Sequence, residues 1–144
     1  MNLTKLFQFE KKQKSRLYKE VEYLVTNYDL IKSFYSTYAE FCGSEKRITL
    51  RDIIPYESPM LGRYKATEIF EIIENFPNKI DCNDTQDNIK INSVFSSLLK
   101  GRKAYDICKD LCISQHTYCN CRFIVINHIA KLFESYVYNA KRAS

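Results

Sequence analysis

Apolar residues recur with unusual regularity near the start of the chain. Leu17, Val21, Leu24, Tyr28, Ile31, Tyr35, Tyr38 and Cys42 follow one another at steps of four and three. That spacing predicts a helix over 14–42, about 40 Å long at 1.5 Å per residue. Gly43-Ser44 ends it, since a glycine tolerates the left-handed geometry past a helix C-terminus. Thr26-Asn27 and Asp29 mark the one place where it would break, but the unbroken register predicts continuity. Such a seam suits a homodimeric coiled coil or a helix packed on its own domain. Tyrosines at three or more seam positions favour the second.

Beyond the seam, 45–57 reads as a connector with a short β-like run over 48–54. Its Arg47 and Arg51 are most simply solvated. Ser58-Pro59 predicts a helix start, a capping serine before a proline in the first turn. Leu61, Tyr64, Ile69, Ile72, Ile73 and Phe76 give this helix an apolar side. Pro77 would stop it, and Glu68, Glu71 and Glu74 fall on its outside. A polar loop over 78–83 leads to a helix capped by Asp84-Thr85. It carries Ile91, Val94, Phe95, Leu98 and Leu99 and ends at Lys100-Gly101.

The last third of the chain predicts a helix-turn-helix. A short helix spans 103–110, a tight turn holds Leu111, Cys112 and Ile113, and Ser114 caps a longer helix. Tyr118, Cys121, Val125, Ile129, Leu132 and Tyr136 make the buried stripe of that second helix. Gln115, His116, Thr117, Cys119, Asn120 and Phe123 rotate away from it. In a DNA-binding helix-turn-helix the second helix enters the major groove. There Gln and Asn can pair with adenine, while Thr or Phe can touch a thymine methyl. The competing explanation is a helical hairpin that only packs.

The expected fold is therefore all-α, a long N-terminal helix plus a C-terminal helix-turn-helix bundle. The chain divides into 1–57, a candidate dimerisation or partner-binding part, and 58–144, with the helix-turn-helix at about 101–134. Composition agrees. At 45% hydrophobic and 27% charged, 144 residues can bury a core, and 3 Gly with 3 Pro are too few turns for an all-β fold.

Charge adds direction. Residues 100–144 carry eight bases and three acids, 1–20 carry six and two, and 21–99 carry eight and twelve. Both ends are basic around an acidic middle, and one basic end coincides with the helix-turn-helix, the electrostatic footprint of a nucleic-acid binder. No stretch reaches the roughly 20 apolar residues needed to cross a bilayer. At the N-terminus an apolar patch over 3–9 precedes a basic run, the reverse of a secretory signal. A short amphipathic anchor is the membrane alternative. The expectation is a soluble cytoplasmic protein with no membrane partner.

Six cysteines, at 42, 82, 108, 112, 119 and 121, raise disulfides and metal. Nothing indicates secretion. Cys119 and Cys121 lie about 200° apart around one helix, so they do not converge on a metal with Cys108 and Cys112. Cys108 and Cys121 suit small core positions. No metal or other cofactor is expected. With no glycine-rich phosphate loop and only two histidines, His116 and His128, the pattern is not that of an enzyme.

Leu98-Leu99-Lys100-Gly101, Asp106-Ile107, Leu111, Ile113-Ser114 and Thr117-Tyr118 together resemble the helix-turn-helix of sigma-factor region 4. Glu20 to Leu24, Asn27-Tyr28 and Ile31-Lys32 resemble the opening of small phage transcriptional activators of the ArpU and RinA type. The resemblance implies a phage or mobile-element late-gene activator in a bacterial host, binding double-stranded DNA and in some cases RNA polymerase. Two departures stand out. The family's turn glycine is Cys112 here, and a non-glycine residue in the left-handed region costs about 1–2 kcal/mol. Arg122 is the only base between Gln115 and Ala130. The DNA-contacting set expected from motif and charge is Lys100, Arg102, Lys103, Ser114, Gln115, His116, Thr117, Cys119, Asn120, Arg122, Phe123 and Lys131. The alternative is a module that binds RNA polymerase or another regulator, with the motif as architecture. A homodimer through 17–42 would serve either.

Overall fold

The structure, a computed structural model, describes residues 16–43, 47–80 and 85–143. The anticipated apolar segment at 3–9 lies outside them. The described residues form an all-α fold with no strand. In chain order the helices are α1 (Arg16–Thr26), α2 (Tyr28–Cys42), α3 (Leu50–Ile53), α4 (Ala66–Glu74), α5 (Phe76–Lys79), α6 (Thr85–Leu99), α7 (Ala104–Leu111) and α8 (Gln115–Ala143).

The central element is α8. It packs against α1, α4, α6 and α7, and α1 also meets α2 and α6. One buried cluster draws on both anticipated parts of the chain, from Leu17 and Val21 to Ile129 and Phe133. The reason lies in two apolar rows on α8. Tyr118, Cys121, Val125 and Ile129 form the expected stripe, and Phe123, Ile126, Ala130 and Phe133 form a second. A helix buried over so wide an arc must have neighbours on several sides.

The N-terminal seam is real but divided. Asn27 stands between α1 and α2, where the long helix was expected to continue. Its side-chain amide donates to the Tyr23 carbonyl at 3.0 Å, and Thr26 Oγ1 donates to the Glu22 carbonyl at 2.7 Å. Side chains that bond carbonyls of the preceding turn loosen a helix at that point. Leu17, Val21, Leu24, Tyr28 and Ile31 are buried in this chain's own core. The first half of the seam is thus occupied and not open to a zipper, which corrects the expected dimer surface.

Residues 58–65 depart from the expected helix. The amides of Leu50 and Arg51 donate to the carbonyls of Tyr64 and Gly62, and Thr49 and Lys65 form an isolated antiparallel bridge. The buried Glu20 carboxylate accepts from the amides of Met60 and Leu61. Burial pushes its pKa up, against the opposing pull of those two amides. With its backbone groups committed to α3 and α1, the segment cannot close helical bonds, and α4 begins at Ala66. Glu68, expected outside, accepts a short bond from the Tyr136 hydroxyl of α8. The proline expected to stop the helix, Pro77, instead sits in the first turn of α5.

Candidate nucleic-acid interface

Two left-handed turns bracket α7. At the first, Gly101 has φ 73°, its amide donates to Leu98 and that of Arg102 to Ser97. At the second, Cys112 has φ 54° and ψ 44°. Its amide donates to Lys109, and the next amide, of Ile113, to Cys108 at 3.1 Å. The bond pattern is that of a glycine C-cap. Cys112 therefore adopts the conformation that the family's glycine would, and the strain is borne.

Ser114 caps α8 as expected. The Thr117 amide donates to its Oγ at 3.1 Å, and the Tyr118 amide to its carbonyl at 2.9 Å. Ser114 Oγ also lies 3.0 Å from Thr117 Oγ1. Both side chains are thereby spent on the cap, and Thr117 is half-buried. Asn120, also half-buried, bonds His116 Nε2 at 3.4 Å. Gln115, His116 and Cys119 are exposed. Gln115 also lines a notch of about 230 Å3 with Ala104, Tyr105 and Cys108.

Two of the expected contacts are corrected. Phe123 is 4% exposed and its ring lies 6.0 Å from that of Tyr18 on α1, so it belongs to the core and cannot reach a base. Arg122 is half-buried, and its guanidinium lies 2.8 Å from the Glu22 carboxylate. Burial opposes its charge, but the bonded carboxylate outweighs this and raises its pKa. It binds α8 to α1.

The flanking bases divide in a similar way. Lys100, Arg102 and Lys103 are exposed around the start of α7, but Arg102 pairs with Asp110. Lys131 is exposed, yet it lies about 24 Å along α8 from Gln115, beyond a major groove about 12 Å wide. The structure thus brings Gln115, His116 and Cys119 together at the mouth of the turn and leaves Lys131 apart. Two exposed residues outside the sequence-derived set, Tyr105 and Lys109, share one face of α7 one turn apart. Their spacing was visible in the sequence; only the buried Ile107 shows which side of α7 faces outward.

Cys121 is buried and Cys108 half-buried. Among the described residues, no three His, Cys, Asp or Glu side chains are grouped to hold a metal ion, and no helix is long and apolar enough to cross a membrane. No protein-family model, curated protein or solved structure matches the chain.

Proposed function

We propose that the protein is a sequence-specific DNA-binding regulator that presents the first turn of α8 to the major groove. The observation that carries this reading is the pair of turns around α7. A glycine-type turn built on Cys112 is followed directly by a serine cap, which leaves Gln115, His116 and Cys119 exposed at a helix N-terminus. Helix N-termini favour anions such as phosphate, and Gln is suited to adenine. Lys100, Lys103 and Lys109 supply phosphate contacts nearby. Arg122 and Phe123 serve the fold, and the DNA-contacting set shrinks accordingly.

Selection of binding sites from random duplex DNA tests the reading. An enriched motif is expected, whose preference relaxes on Gln115→Ala while melting temperature holds. With three lysine contacts, log affinity should fall by roughly 2.7 per decade of salt. Absence of any enriched motif at low salt overturns the proposal.

One observation favours the second reading, a protein-binding module: few free bases remain on α8 once Arg122 is paired with Glu22. Retention of a protein partner without retention on a DNA column would select it.

A further inference from the structure

The outer face of α2 is apolar where the rest of the surface is not. Leu30 is 52% exposed, Phe34 48% and Phe41 89%. With Thr37 they stand at steps of four, three and four, so they line one stripe on the side away from the buried Tyr28 and Ile31. Asp29 and Glu40, both exposed, run along one edge of that stripe. Single exposed apolar residues are ordinary; three large ones in a row on one helix mark a surface that binds something.

The charge of the stripe restricts its occupant. In an antiparallel pair of α2 helices centred on Phe34 and Thr37, the acidic edge of one copy would lie along the acidic edge of the other. That repulsion disfavours self-association. The complementary sequence lies in the chain itself. Residues 1–15 hold four lysines (Lys5, Lys11, Lys12, Lys14) against one acid, Glu10. Leu3, Leu6 and Phe7 recur there at steps of three and one, with Phe9 close behind.

Reach also fits. From Arg16 to Leu30 is at most about 21 Å along the axes of α1 and α2, and the bend at Asn27 only shortens it. The seven steps from Phe9 to Arg16 span up to about 23 Å when extended. The stripe from Leu30 to Phe41 is about 17 Å long, against about 14 Å for nine residues in a helix. We infer that the segment Met1–Phe9 docks on the Leu30–Phe34–Phe41 face of the same chain, its lysines beside Asp29 and Glu40. The inference stands independently of DNA binding.

The test uses the full-length protein with Phe41 replaced by the photo-crosslinking residue p-benzoylphenylalanine. Because Phe41 is so exposed, the replacement leaves the core intact. Irradiation should yield an adduct at monomer mass that maps within residues 1–9. Its yield should fall at least fivefold in Leu6→Asp/Phe7→Asp, and severalfold in Asp29→Lys/Glu40→Lys. Circular dichroism verifies that both variants remain helical. No adduct, an adduct mapping elsewhere in the chain, an adduct at dimer mass, or a yield indifferent to Leu6→Asp/Phe7→Asp overturns the inference.

Discussion

Gln115, Cys119 and Phe123 follow one another at steps of four, so they share one line along α8, yet they meet different fates. Cys119 is exposed, and Phe123 is among the least exposed residues in the chain. Nothing in the helix itself distinguishes them. The difference is α1, whose Tyr18 lies over Phe123 and whose Glu22 takes Arg122. A helix face is defined by its neighbours, and the proposed reading surface is the stretch of α8 that projects past α1.

The largest expected effect tests that boundary. Phe123→Ala should lower stability by about 3–5 kcal/mol through the cavity it leaves, whereas Cys119→Ala should stay within about 0.5 kcal/mol. Urea denaturation of both variants measures the contrast, and equal effects would erase it. Next is the cap that separates the exposed turn from the loop. Ser114→Ala should cost about 1 kcal/mol by orphaning the Thr117 amide. Hydrogen exchange should show the loss first in the opening turn of α8, ahead of the buried turns.

Cys112→Gly should act in the opposite direction. Relief of left-handed strain of about 1–2 kcal/mol exceeds the entropic penalty of glycine, about 0.5–1 kcal/mol. A net gain of about 0.5–1 kcal/mol is expected, read as a rise in melting temperature without loss of helix. The smallest effect belongs to the deep part of α8. His128 packs on Phe76 at 5.6 Å, and its pKa is lowered by burial first and by Lys131 second, against a bond to the Lys79 backbone. The folded state therefore binds the imidazole proton less readily than the unfolded chain does. The stability this provides is present above the ordinary histidine pKa, near 6.5, and falls as pH drops through it. Between pH 7.5 and 5.5 the wild type should lose stability, and His128→Asn should flatten that slope.

Much of the secondary structure was legible locally. The Ser114 cap, the turn at 111–113 and the stop at Gly101 each depend on residues within a few positions, and each is present. The second row of α8, Phe123, Ile126, Ala130 and Phe133, was also legible, since it repeats at steps of three, four and three. Arg122 lies between that row and the first. A charge enclosed by two apolar rows needs a counter-charge, which argues against placing it on an open face. Following only the stronger stripe assigned both Arg122 and Phe123 to DNA.

By itself the amino-acid sequence determined an all-α chain, a divided charge, and a short helix joined by a tight turn to a long one. Helical periodicity and capping are local, so they survive without knowledge of the partners. Only the tertiary structure decided that the N-terminal seam is occupied by its own core, that 58–65 gives up its helix to bond α3 and Glu20, and that Glu22 takes Arg122 across a hundred residues of chain. Each depends on contacts between distant segments, whose pairing the local pattern does not specify.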